Sequence, residues 1–255
     1  MSERSDIKLR HIVPSMVTVF AICAGLTSVR MSLEGHLEMA LSFILLAVFL
    51  DAADGKLARY LDTASPFGAE LDTLADLFNF GIAPGFLLYH TLYLGTPYAS
   101  IGWMAVMVLA VCCALRLARF NLSSKATPSE TVRPDYFSGV PAPALACLAL
   151  MPVFMHLSGW QATDLPLLRA GYIAGVGVLA VSTVPTFSIK HAKVSRAQLP
   201  FIMVAAVIVI VGLMSHPWPT LILANCLYLA SLPVSSMLHR KHIKRLQTAH
   251  AYSAD

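Results

Sequence analysis

Apolar residues run along this chain in blocks of about 20, separated by short polar stretches. Blocks of that length are what a helix needs to cross the hydrocarbon core of a bilayer. They predict eight spans, at about 12–30, 36–58, 72–94, 100–120, 137–157, 168–188, 199–215 and 219–238. The expected architecture is an all-α polytopic membrane protein whose residues 1–255 form a single membrane-embedded domain, without a linker, a strict internal repeat or a low-complexity segment. The seventh run is short, and His216 to Pro219 leaves room for only a very tight turn. Six spans with an irregular end stand as the alternative.

Composition agrees with the pattern. Of 255 residues, 57% are hydrophobic and 13% charged, with a mean hydropathy of +0.69, where a soluble domain carries roughly 25% charge. The five cysteines (Cys23, Cys112, Cys113, Cys147, Cys226) fall in apolar runs without CxxC spacing, so they are expected to be small buried hydrophobes rather than metal ligands or disulfide partners. Glu3 and Asp6 dilute the N-terminal basic region and no A-x-A-like site follows, so the first run is read as a retained span. Trp103, Trp160 and Trp218 are expected as interface aromatics.

Charge sets the orientation. With the N-terminus in the cytoplasm, all 18 lysines and arginines except Arg30 and Arg169 fall on or near the cytoplasmic side, as the positive-inside rule requires. An even number of spans returns the basic tail, 239–255, to that side. The net charge of +4 is therefore a topology signal; it gives no ground for a nucleic-acid partner. The tail is placed to touch anionic lipid.

Against this background, the carboxylates of DAADGKLARYLDTASPFGAELDTLAD, residues 51–76, stand out. Ionisable groups at membrane depth are costly and usually face a cavity, a partner or an ion. Asp51 and Asp54 share a face at the end of the second span, while Gly68, Asp72 and Asp76 share one at the start of the third. A turn through Asp62, Ser65 and Pro66 folds the two ends together, so four carboxylates meet on the cytoplasmic side. Four hard oxygen donors suit Mg²⁺ or Mn²⁺, and two such ions would clamp a pyrophosphate. Gly55 and Gly68 clear space beside the backbone, and Arg59 offers a cation to phosphate oxygens. The competing readings are a salt-bridged polar network between helices and a cation pathway. Lys56 and Arg59 do not balance four acids, which favours bound cations. Glu70, off the Asp72 face, and Asp62, in the turn, read as solvated loop charges.

The spacing D51-x2-D54-G55-x2-A58-R59-x8-G68-x3-D72-x3-D76 resembles the signature of the CDP-alcohol phosphotransferase family at every fixed position. The resemblance implies a six-helix core with two further helices at about 199–238, divalent metal, and transfer from a CDP-linked donor to an alcohol with release of CMP. It also implies that Asp51, Asp54 and Asp72 are metal ligands, and that Asp76 is both a ligand to a second ion and the general base. Asp54, Gly55, Ala58, Arg59 and Gly68 would hold the CDP phosphates.

The segments SPFGAELDTLADLFNFGIAPG (65–85), ALRLARFN (114–121) and YFSGVPAPALA (136–146) look like the branch of the family that uses L-serine as acceptor and CDP-diacylglycerol as donor. Thr73 and Asn79 stand where that branch often has serine. Serine brings a carboxylate that needs a cation beside an acidic site, so Arg116, Arg119 and Asn121 are the candidate serine-binding residues. Snorkelling to the interface is the plainer reading of the two arginines. Other acceptors (glycerol 3-phosphate, inositol, choline) remain the alternative, with a cation transporter as the remote one. A bacterial inner membrane with a cytoplasmic site is the expected location, and a homodimer is left open.

Overall fold

A computed structural model describes residues 12–63, 65–125, 137–160, 165–182, 185–186 and 199–233. Helices α1 (Val13–Leu33) and α2 (Leu37–Tyr60) come first. A long third helix follows, built of α3 (Pro66–Asp76), a π-helical turn (Leu77–Ile82) and α4 (Ala83–Leu92). Then come α5 (Ala99–Lys125), α6 (Ala142–Ala149), α7 (Met151–Leu157), α8 (Pro166–Val181), α9 (Leu199–Ser215) and α10 (217–233). The described residues also include a short antiparallel backbone pairing of Phe137–Ser138 with Pro185–Thr186. The N-terminal basic cluster, Arg133, the basic residues of 190–196 and the tail 239–255 lie outside the described residues.

The helices fall close to the eight apolar runs, with instructive differences. The third begins at Pro66, not near 72, because Ser65 caps it: its Oγ accepts from the Gly68 amide at 3.0 Å, and Pro66 occupies the first turn. The sixth stops at Val181, where Ser182 turns extended. The tight turn after α9 is real. His216 alone separates α9 from α10, and a Cβ on Gly212 would meet Thr220, so the chain bends sharply between the two helices. Among the described residues, three helices are long and apolar enough to cross a membrane: Val13–Leu33, Pro66–Leu92 and Ala99–Leu122. Pro166–Val181 and Leu199–Ser215 are shorter apolar helices. The chain is an integral membrane protein by composition and architecture.

Packing follows the logic of membrane helices, in which small residues face inward and large ones face lipid. The buried side of α1 is Pro14, Thr18, Ala21, Ala24, Gly25, Ser28 and Ser32, while Met16, Phe20 and Leu26 are exposed. Helix α9 is apolar on all sides and has no buried residue. Among the cysteines Cys113 is buried, but Cys23 and Cys226 lie exposed on their helices, against expectation. An apolar outer surface accepts a thiol as readily as the core does. Trp218 also departs from a purely interfacial role, stacking on Phe154 with ring centroids 6.1 Å apart.

Helix α1 packs along α2, and α5 along α8, with the long third helix in contact with both α1 and α5. The core is centred on Leu41, Ile44, Phe80, Leu87, Leu109, Leu145, Leu148 and Ile173, all buried. Polar ties fix α8: the Tyr93 hydroxyl donates to the Pro166 carbonyl at 3.1 Å, and Tyr172 to the Leu148 carbonyl at 2.9 Å.

Candidate active site

Local backbone chemistry brings the acids together. Helix α2 ends in a Schellman motif, with the Thr63 amide donating to the Ala58 carbonyl at 3.1 Å and Asp62 in the left-handed region at φ 49°. Asp62 is thus the exposed turn residue expected of it, and Glu70 is also exposed. Ser65 then caps the start of α3, so only a short turn separates α2 from α3.

Carboxylate oxygens of Asp51, Asp72 and Asp76 lie within 4.8 Å of one another. A hard cation with ligands at about 2.0–2.6 Å reaches all three. One oxygen of Asp76, Oδ1, is buried without a hydrogen-bond partner, as expected of a group meant for an ion or substrate. Donor type, spacing and the orphaned oxygen all fit a divalent-cation site.

Asp54 stands apart from this trio. It is 4% exposed, and its Oδ2 accepts from the Thr18 hydroxyl of α1 at 2.7 Å. It faces a pocket of about 150 Å³. Helix α2 lends Asp54, Gly55 and Ala58 to the wall of that pocket, and α3 lends Gly68, Ala69 and Asp72. The remaining wall comes from Pro14, Ser15 and Thr18 of α1, with Thr63 and Ser65 of the turn. A Cβ on Gly55 would meet only open space, so Gly55 forms a lip. Arg59 is exposed beside it, its Nε donating to the Gly55 carbonyl at 2.9 Å. Asp72 is common to the pocket and the trio, which makes the two adjacent parts of one site.

Helix α1 is the part that sequence reasoning overlooked. Its signal was present: Pro14, Ser15 and Thr18 interrupt the apolar run at its N-terminal end, with Thr18 one turn after Pro14. The π-helical turn directly after Asp76 was also unforeseen. It buries Asn79, Phe80 and Gly81 in succession, and such turns recur at functional sites.

The candidate serine-binding residues separate. Two contacts set an antiparallel register between the third helix and α5: Asn121 Nδ2 donates to Thr73 Oγ1 at 3.0 Å, and Gly81 touches Cys113. That register brings Arg116 within a turn of Asp76, and the two interact electrostatically. The Arg116 Nε is buried without a hydrogen-bond partner. Arg119, one turn on, donates instead to the carbonyls of Val181 at 2.9 Å and Ser182 at 3.5 Å, closing the end of α8. Gly139, at φ 90°, packs against the same end, where a Cβ would collide with the Ala180 carbonyl. Asn121 serves to tie α5 to α3.

Comparison with known proteins accords with this geometry. The sequence model for CDP-alcohol phosphatidyltransferase matches residues 11–184, and a second, CDP-alcohol phosphatidyltransferase 2, matches 199–233. Helices α9 and α10 therefore carry family character of their own. The CDP-diacylglycerol--serine O-phosphatidyltransferase of Mycobacterium leprae is 40% identical over 180 residues, covering 69% of this chain and 58% of that one. The like-named protein of Helicobacter pylori strain J99 is 32% identical over 184 residues (72% and 75%), and that of Bacillus subtilis 33% over 184 (71% and 94%). The chain thus spans about three-fifths of the length of its mycobacterial relatives. By the extent of the match and the arrangement of its carboxylates, the chain belongs to the CDP-alcohol phosphatidyltransferase family.

Proposed function

We propose that the protein transfers the phosphatidyl group of CDP-diacylglycerol to the hydroxyl of L-serine, giving phosphatidylserine and CMP. The observation that carries this reading is the trio Asp51, Asp72 and Asp76, drawn within 4.8 Å in an apolar helical surrounding. The serine half rests on the names of the relatives and on Arg116, a cation beside Asp76 suited to an acceptor carboxylate.

Two divalent cations, Mg²⁺ or Mn²⁺, held by Asp51, Asp54, Asp72 and Asp76 would neutralise the donor pyrophosphate and stabilise the departing CMP. Asp76 takes the proton of the serine hydroxyl as its oxygen bonds to the β-phosphorus and the bond to CMP breaks. Asp54, Gly55, Ala58 and Gly68 border the pocket where the diphosphate lies, and Arg59 approaches it from the rim. The donor's acyl chains remain in the bilayer. The whole chain acts as one domain of eight spans with both termini in the cytoplasm, in a bacterial inner membrane, and the site faces inward. A transporter would spread its acids along a path through several helices, whereas these gather at the joined ends of two.

The test is CMP release by purified protein in detergent–lipid micelles. Release should need CDP-diacylglycerol, serine and Mg²⁺ or Mn²⁺ together, and should stop on chelation. Equal release with glycerol 3-phosphate or inositol in place of serine would refute the acceptor while retaining the reaction class.

A further inference from the structure

Helix α10 reaches the active site from the far end of the chain. Two contacts, seven residues apart on each partner, fix how it lies. Trp218 stacks on Phe154 of α7, and Asn225 Nδ2 donates to the Cys147 carbonyl of α6 at 2.8 Å. The equal spacing makes α10 antiparallel to α6–α7 and carries Tyr228 to the level of Ala144, near the start of α6. Tyr228 and Ala144 both pack against the central core, and α6 also packs on the π-helical turn that follows Asp76.

Three buried polar atoms in this region have no hydrogen-bond partner among the described residues: the Tyr228 hydroxyl, Arg116 Nε and Asp76 Oδ1. Tyr228 and Arg116 interact electrostatically, as do Arg116 and Asp76. A buried hydroxyl without a partner costs about 1–3 kcal/mol, and phenylalanine would fill the same volume without that cost. An oxygen kept under those conditions has a ligand to meet.

We infer that Tyr228 is a specificity residue of the acceptor subsite, its hydroxyl donating with Arg116 to the carboxylate of a small hydroxy amino acid whose own hydroxyl lies toward Asp76. The inference rests on the proposed serine acceptor and deepens it. It gives the last helix a part in the site that the signature at 51–76 does not contain.

The experiment compares the full chain and Tyr228→Phe in the same micelles, varying serine and CDP-diacylglycerol separately, with thermal unfolding alongside. Tyr228→Phe should raise KM for serine about tenfold, with KM for CDP-diacylglycerol unchanged and the melting temperature equal to or above that of the wild type. One charge-assisted hydrogen bond is worth a change of that size. A packing role for Tyr228 would lower the melting temperature or move both KM values together, and either result overturns the inference. So does an unchanged KM for serine. Wild-type protein that releases CMP with another acceptor and not with serine brings down the proposed function itself, a failure visible before the variant is assayed.

Discussion

The carboxylate site and the closure at the end of α8 are reached from the same turn of α5, one through Arg116 and the other through Arg119. At the α8 end, Arg119 donates to two helix-terminal carbonyls and Gly139 fits against a third, so the polar groups answer one another within the chain. Around Asp76 the reverse holds, with a carboxylate oxygen, a guanidinium nitrogen and a phenol oxygen all buried without hydrogen-bond partners among the described residues. Both regions belong to segments that mark the family branch. The difference separates residues kept for architecture from residues kept for a ligand. It also gives a rule: substitutions at α8 should cost stability, and substitutions near Asp76 should cost turnover.

The sharpest way to break the comparison is Asp76→Asn. CMP release should fall by about 10²–10⁴-fold, the range for loss of a general base, while the melting temperature holds or rises because the repulsion between Asp76 and its neighbours Asp51 and Asp72 has gone. A fall in both would place Asp76 in the framework.

Next in size come the substitutions at the α8 end. Arg119→Ala removes charged donors and Gly139→Ala imposes a strained φ, each at about 1–3 kcal/mol. Thermal unfolding should register that loss, with KM for serine in the folded protein close to wild type. A serine KM that rises in Arg119→Ala as far as in Arg116→Ala would move Arg119 to the acceptor side.

The smallest effect expected is at Thr18→Val, which withdraws the 2.7 Å donor from Asp54. A loss of about 1 kcal/mol corresponds to roughly fivefold more Mg²⁺ for half-maximal rate. An unchanged metal requirement would separate Asp54 from the cation site.

Much of this was legible in the sequence because helical periodicity acts over short range. The i,i+3 and i,i+4 spacing of Asp51, Asp54, Asp72 and Asp76, with one turn between the pairs, is enough to predict that they meet. The division into a trio plus Asp54 was not legible, since it depends on Thr18 arriving from a helix some 36 residues earlier. Arg116 and Arg119 look alike in RLARFN, and only the position of α8 distinguishes them. Tyr228 gave no signal because its place follows from the register of α10 on α6 and α7. Nor does any residue type announce the π-helical turn.

That turn has a consequence in angular phase. An α-helix advances about 100° per residue, and a π-turn absorbs roughly one extra residue. Everything after Ile82 is thereby rotated relative to the face that carries Asp72 and Asp76. The two halves of Pro66–Leu92 are thus indexed independently: α4 can be repacked against α5 while the bearing of the carboxylates toward Asp51 stays fixed.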